Sequence, residues 1–448
     1  KTLDKLTEKC CSAIDYKLID CEAIFMNPIT IFNNIIQQSR VLINSADYQR
    51  TYRRNNSFSR KRKISFQQMI YFILHQSRKS LSVNISSMRS DFPTIDFPFI
   101  TKQAISKARQ NISHEAIKEL FKLSVRCFYK SADNTALWNG YHIFAIDGST
   151  VQIPFSDENI QEFGTNPNQY DMDNALASSS MLYDVMNDII VDATLSSYRQ
   201  DERLFACQHI DEFLTLSIQK PSIFLFDRGY PSYEMFKKLI DNGLFFLIRL
   251  PSSFRKLINI ENNDSIISYQ QRSKKETLAL RAIHFELPDG TVEYLITNIM
   301  FDTFTLHNFK ELYFLRWGIE SKYKEFKSRF CLEDFSGLKP VTIMQDFYSI
   351  VYQSNLAALI KSSSDKTIKS KKSKAQNRYQ ANRSFIINRV KMLLVRMLIS
   401  TKSQLKNLIQ ILKYEAERVT SIIRPERSFI RHKKFTRRKY YINMKPCL

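Results

Sequence analysis

A carboxylate, two cations and a phenol share one side of a helix. The segment Tyr313-Phe314-Leu315-Arg316-Trp317-Gly318-Ile319-Glu320 runs on as a helix to Lys327. At about 100° per residue, Tyr313, Arg316, Glu320 and Lys327 fall within an arc of roughly 60°. Leu312, Leu315, Ile319, Tyr323, Phe326 and Phe330 take the adjoining face. That face is expected to pack into a core. Its edge is expected to present Glu320, flanked by Arg316 and Lys327, with Tyr313 beside them. A carboxylate can hold a divalent metal, and the cations and phenol can grip phosphate. The combination suits chemistry on a nucleic-acid backbone.

Two further carboxylates fit the same chemistry. The apolar run His142–Ile146 leads into Asp147-Gly148-Ser149-Thr150, and Ser222–Phe226 leads into Asp227-Arg228-Gly229-Tyr230. Both aspartates are expected at strand ends, where α/β sheets place functional groups. Breaking a phosphodiester needs an activated water, in-line geometry and a neutralised leaving oxygen. Two divalent metals held by carboxylates supply all three, and an oxygen-only donor set favours Mg2+ or Mn2+. Each acid also has a plainer reading. Asp-Gly is a common turn pair, Asp227 can cap the following helix, and Glu320 can pair with Lys324 one turn on. The chemical reading rests on order, placement and the shared helical face.

The elements that must position these residues read as a mixed α/β core between helical flanks. Residues 1–135 are mostly helical, with apolar spacing over Ile31–Leu42 and Phe66–Leu74. Between those helices Arg53, Arg54, Arg60, Lys61 and Arg62 alternate with Tyr52 and Phe58. Thr101–Gln110, with Lys102, Lys107 and Arg109, reads equally as a recognition helix or as a solvated face. From Tyr141 the pattern changes. Met181–Val185 and Ile189–Leu195 form a hairpin over Asn187-Asp188; helices are expected at Leu204–Leu214 and Tyr233–Asn242, and a strand at Leu244–Arg249. Residues 251–300 read as a β-rich insertion, with a turn at Pro288-Asp289-Gly290. Lys361–Arg378, rich in Lys and Ser, reads as a flexible basic linker. Helices over Ser384–Ser400 and Lys402–Arg418 precede a basic tail, Arg424–Lys445. The expected divisions are 1–135, 136–360 and 361–448.

Composition sets the bounds. The chain has 448 residues, 44% hydrophobic, enough for a large core. With 33 Phe, 21 Tyr and 8 Gly, it is neither a disordered basic tail nor a glycine-rich nucleotide-binding fold. A net charge of +22 calls for a polyanionic partner. The cysteines are scattered, with no zinc spacing, which fits a reducing compartment. No apolar run reaches membrane-spanning length, and no segment reads as a signal peptide.

The chain resembles the insertion-sequence-4 family of DDE transposases, bacterial enzymes with a ribonuclease-H-like core. The match lies in Ala145-Ile146-Asp147-Gly148-Ser149-Thr150, in Leu225-Phe226-Asp227-Arg228-Gly229-Tyr230, and in the Y-x2-R-x3-E-x6-K signature of Tyr313, Arg316, Glu320 and Lys327. Tyr294-Leu295-Ile296-Thr297-Asn298 adds to it, and the likeness spans about residues 140–360. The resemblance implies a ribonuclease-H-like mixed sheet with a β-strand insertion before Glu320. It implies that Asp147, Asp227 and Glu320 are a catalytic triad holding Mg2+ or Mn2+, two ions in all. It implies that Tyr313, Arg316 and Lys327 contact DNA phosphates. The reaction implied is nicking at an element's ends, then attack of the freed 3′-hydroxyl on target DNA. The family often passes through a DNA hairpin, aided by a tryptophan in the insertion. Here the only tryptophans are Trp138 and Trp317, and Tyr269, Phe285 and Tyr294 are the aromatic alternatives. The expected partners are the terminal inverted repeats, read by the N-terminal basic residues, and target DNA. A homodimer on DNA is expected, with Ser384–Arg418 as its interface, in the cytoplasm on the nucleoid. A related nuclease without strand transfer, or a decayed DNA-binding protein, is the alternative.

Overall fold

The computed structural model describes residues 27–424 apart from 61–62, 76–78, 131–134, 168–172, 252–261, 272–273, 275, 288–289 and 373–375. Helices α1 (Pro28–Ile43), α2 (Ala46–Tyr52), α3 (Phe66–His75), α4 (Leu81–Asp91), α5 (Lys102–Gln110) and α6 (His114–Tyr129) come first. Asn27, Ser45, Ser80, Thr101 and Ser113 cap five of them by accepting a first-turn backbone N–H. The central portion runs β1 (His142–Gln152), α7 (Asp157–Phe163), β2 (Thr165–Pro167), β3 (Asp173–Asp184), β4 (Ile189–Ser197), α8 (Glu202–Thr215), β5 (Ser222–Phe226), α9 (Tyr233–Asp241) and β6 (Phe245–Arg249). Strands β7 (Asp264–Tyr269), β8 (Leu278–Glu286) and β9 (Val292–Thr297) follow. The rest is α10 (Leu306–Leu315), α11 (Trp317–Glu325), a π-helical turn at Phe326–Phe330, α12 (Pro340–Lys371), β10 (Tyr379–Ala381), α13 (Arg383–Ile399), α14 (Lys402–Arg418) and β11 (Thr420–Ile422).

The main sheet is mixed. Its order is β2-β3-β1-β5-β6-β9-β8-β7, with β4 also on β3. Strands β1, β5 and β6 are parallel, and the other pairs are antiparallel. Parallel strands need crossovers, and α9 is the one between β5 and β6. The central strands are buried on both faces: Ile223, Phe224, Leu225 and Phe226 of β5 are all inaccessible.

Three expectations change, and the β-rich insertion gains a place in the sheet. Its β9 pairs with β6 and extends the main sheet. The edge of β6 would otherwise stand unpaired. Asn298 lengthens the seam, donating to Leu244 O at 2.9 Å and accepting from Phe246 N at 3.0 Å. Asp147 is not at a strand end: β1 runs through Asp147-Gly148-Ser149-Thr150 to Gln152, paired with β3 throughout. The helix read from Tyr313 to Lys327 is interrupted at Arg316 and ends in the π-helical turn that carries Lys327. The expected linker at Lys361–Arg378 is helical as far as Lys371, since α12 continues through it. Ile360, Ser364 and Ile368 form a buried stripe at four-residue spacing, which keeps that stretch helical. The tail beyond Arg424 lies outside the described residues.

Helix α12 joins the parts. It packs against α1, α3 and α6 on one side, α13 and α14 on another, and β4 on a third. Tyr352 Oη meets Ser39 Oγ at 2.9 Å, and Gln353 donates to Leu74 O at 3.1 Å. Asn355 accepts from the Ile190 N–H and donates to the Ile190 carbonyl, both at 2.9 Å. The boundary expected at residue 360 falls inside this helix. Among the described residues no helix is long and apolar enough to cross a membrane.

Candidate active site

Register brings the first two acids together. Ala145 on β1 lies opposite Leu225 on β5. Continued two residues in each parallel strand, that register sets Asp147 level with Asp227, one strand spacing of about 4.8 Å away. On the far side of Asp227, Phe226 pairs with Ile248, so Arg249 of β6 stands level in turn. Arg249 Nη1 is 3.6 Å from Asp227 Oδ1, and its other terminal nitrogen is paired with Glu293.

Glu320 reaches this row from the first turn of α11. Tyr323, on the same helix, donates its hydroxyl to Asp147 O at 3.0 Å and Ser179 O at 3.1 Å. The helix is also pinned at its far end. Lys322 and Glu325, themselves paired at 3.2 Å, meet Asp188 and Arg383. Asp188 sits at the β3–β4 turn with φ +57°, and Arg383 opens α13. Burial works against charge on Glu325, but Lys322 and Arg383 outweigh it and hold its carboxyl well below the usual range. This clamp left no motif in the sequence.

The structure corrects the expectation that Tyr313 and Arg316 lie on an exposed edge. Both are buried, Arg316 at 2% exposure. Its Nη2 donates to Glu320 Oε1 at 3.0 Å, and its guanidinium lies 4.7 Å over the Trp317 ring. Burial opposes the Arg316 charge, yet Tyr313, Asp227, Glu320 and Asp147 together hold its pKa above the ordinary value. Burial pushes the Tyr313 hydroxyl up to about 12, against the pull of Arg316. Lys327 is different: its ammonium is partly exposed and donates to Thr150 O at 2.6 Å, on the same strand as Asp147.

Electrostatics mark the site as incomplete. Burial raises Asp147 to about 7 although Arg316 and the Gly148 N–H oppose it, with Glu320 and Asp227 adding to the rise. Glu320 is raised as well, by burial first, against Arg316. Asp227 Oδ1, Tyr230 Oη, Tyr313 Oη and Arg316 Nε are all buried without a hydrogen-bond partner. Orphaned polar atoms of this kind mark the place of an ion, water or ligand.

Sequence comparison agrees with this geometry. Residues 138–356 match the family described as the transposase DDE domain. The transposase InsG for insertion sequence element IS4 of Escherichia coli (strain K12) is 23% identical over 330 residues, covering 66% of this chain and 70% of that one. Residues 138–356 thus carry a transposase DDE domain, and the chain is similar to the insertion-sequence-4 transposases. A piggyBac transposase chain, solved in a synaptic complex with hairpin DNA, covers 87% of this chain and 86% of its own at 12% identity and a TM-score of 0.45.

A DDE domain implies a divalent metal, and the donors of this chain fit one. Three carboxylates act on one another through their charges, two of them have raised pKa values, and Asp227 offers an oxygen with no hydrogen bond. Among the described residues no three metal-ligating side chains converge closely enough to cage an ion as they stand. Arg316 pairs with Glu320 at 3.0 Å, and Arg249 stands 3.6 Å from Asp227.

The N-terminal cations divide. Lys102 and Lys107 are exposed on α5, as a DNA contact requires, whereas Arg109 is 3% exposed. Its guanidinium bonds Asp346 at 2.8 Å, Gln345 at 2.7 Å, the Thr342 carbonyl at 3.0 Å and Ser336 at 2.5 Å. Arg109 therefore holds α5 to α12 and is withdrawn as a DNA contact. Arg54 and Arg60 are exposed, Arg53 is partly buried, and Lys61 and Arg62 lie outside the described residues. Of the aromatics considered for the insertion, Phe285 is buried, Tyr269 packs on Tyr233 and Phe236, and Tyr294 stacks on His284. Sequence reasoning passed over Arg249, Tyr230 and Glu202. Burial, then Asp201 and Asp227, raise the Glu202 pKa. A glycine after each aspartate was the available signal.

Proposed function

We propose that this chain is a transposase that cuts DNA at the ends of an insertion element and joins the freed 3′-hydroxyls to target DNA. One observation carries the reading: the β1–β5 register, continued two residues, sets Asp147 level with Asp227, and Arg316, which bonds Glu320, lies within the charge of all three acids. Three antiparallel strands followed by two parallel ones, β4-β3-β1-β5-β6, support a ribonuclease-H-like core. Asp147, Asp227 and Glu320 would hold Mg2+ or Mn2+, two ions in all, which when bound supply an activated water and a stabilised leaving oxygen. Arg316 orients Glu320, and Tyr323 fixes its helix to the Asp147 backbone. Lys327 takes a backbone phosphate near the cut. Tyr313 shields Asp227, so that its part and that of Arg316 are indirect. Arg53, Arg54, Arg60, Lys102 and Lys107 bind the inverted repeats. The divisions 1–135, 136–360 and 361–448 stand as functional regions, with a homodimer on DNA formed through α13 and α14, acting in the cytoplasm.

The deciding experiment is cleavage of DNA carrying the flanking inverted repeats, with Mg2+ or EDTA, by wild type and Glu320→Ala. Metal-dependent cuts at the repeat ends, absent in the variant, support the reading. Specific binding without cutting under any metal overturns it in favour of a DNA-binding protein. Detection of 3′-end joining separates the transposase from a nuclease that shares its carboxylates.

A further inference from the structure

We infer that Glu202 is a fourth carboxylate of this site, taking a divalent cation together with Asp147 and Asp227. The inference rests on the proposed metal site and adds to it a residue from another element. Glu202 lies in the first turn of α8. A Cβ built on Gly148 would stand 3.2 Å from Glu202 Oε1, and one on Gly229 would stand 3.4 Å from Glu202 Oε2. Gly148 follows Asp147 directly, and Gly229 follows Asp227 by two residues. Neither glycine has a positive φ, so a side chain there would bring no backbone strain: at Gly148 it would crowd the carboxylate by a few tenths of an ångström, and at Gly229 it would just touch it.

The placement is held. His209, on the same helix, bonds Asp192 at 2.7 Å and Ser180 at 3.0 Å, and Ser180 pairs with Gly148 in the sheet. The charges acting on Glu202 are Asp201 and Asp227, both of its own sign. A second observation points to a ligand. Tyr230 is 1% exposed, its hydroxyl has no hydrogen-bond partner, and Asp147, Glu202 and Asp227 all act on it. Three like charges around an orphaned hydroxyl leave a place that a cation would satisfy. The plain role of a first-turn glutamate, complementing the helix dipole, requires no approach to two glycines of the sheet.

The test is Mn2+ binding to the full chain without DNA, by titration calorimetry, with melting temperature in EDTA as the control. Glu202→Gln is expected to weaken Mn2+ at least tenfold or remove one equivalent, with no fall in the EDTA melting temperature. Gly148→Ala, which keeps every carboxylate but crowds that of Glu202 by a few tenths of an ångström, is expected to weaken Mn2+ by a smaller factor, and it decides the matter if Glu202→Gln does not fold. Wild-type Mn2+ binding in both variants, alongside its loss in Asp147→Asn and Asp227→Asn, overturns the role of Glu202 alone. If Asp147→Asn and Asp227→Asn also bind as wild type, the metal site itself is misplaced.

Discussion

Tyr323 shares its hydroxyl proton between the carbonyls of Asp147 and Ser179, at 3.0 and 3.1 Å. The helix that carries the third acid is thereby fastened to the backbone of the first. Tyr323→Phe leaves two carbonyls short of a donor in a buried place. We expect a loss of about 1–2 kcal/mol in stability. Cleavage should slow by about tenfold or more, because small misplacements of reacting groups are costly. Urea unfolding and single-turnover cleavage check the two effects. Full activity in the variant would show that Glu320 is positioned by other contacts.

Alanine at Asp147, Asp227 or Glu320 is expected to cost cleavage about 10³-fold or more, equivalent to about 4 kcal/mol. Binding to the element ends should survive, since the carboxylates repel phosphate. Anisotropy with labelled end DNA, beside a cleavage gel, reads both. Retained cutting in any one variant removes that residue from the triad.

Asp147 makes stability depend on pH in a definite direction. Its folded pKa, about 7, lies above the 3.8 of a free side chain. Well below the unfolded value of 3.8 both folded and unfolded chains are protonated and the site costs nothing. As pH rises toward 7 the unfolded chain ionises first, so folded stability falls, and the loss is complete above the folded pKa. The upper bound is about 4 kcal/mol. In EDTA, Asp147→Asn should therefore melt higher than wild type at pH 8, with the gap closing toward pH 4. Parallel curves across that range would contradict the shift.

Arg109 and its neighbours on α5 should separate stability from binding. Arg109→Ala strands Asp346 inside the protein and is expected to cost about 3–5 kcal/mol. Lys102→Ala and Lys107→Ala should stay within about 0.5 kcal/mol of wild type, yet weaken DNA binding and flatten its salt dependence. Chemical denaturation and salt-titrated anisotropy distinguish the two classes. An unchanged salt slope in the lysine variants would take α5 off the DNA.

Lys327 and Arg316 should behave differently despite sharing one signature. Lys327→Ala is expected to reduce the salt slope of end binding by about one. Arg316→Ala should leave that slope alone and abolish cleavage, because its guanidinium faces Glu320 and not solvent. Equal slopes for the two variants would return Arg316 to the phosphates.

What the sequence made legible was local. The strand before Asp227, the hairpin turn at Asp188 and most helices follow from short apolar periods and turn residues. Asp147 was misjudged because Asp-Gly reads as a turn, while its pairing with Met181 across the sheet leaves no local trace. Arg109 and Arg316 were read as exposed because cations usually are. The acid that buries Arg109, Asp346, stands 237 residues away. The insertion was legible as β-rich, but nothing in its own residues names β6 as its partner. Glu202 belongs to no motif, and only the crossing of α8 over the two glycines brings it in.

Arg383 has a consequence for where the chain can be cut. It lies beyond the segment that matches the DDE domain, 138–356, yet it closes the ionic clamp on Glu325, just past Glu320. A fragment trimmed to that segment would carry every acid of the proposed triad and still sever α12, leaving Glu325 and Asp188 without the guanidinium that joins them. The smallest working piece of this protein is thus set by how its third carboxylate is braced, and extends well past the last residue of its signature.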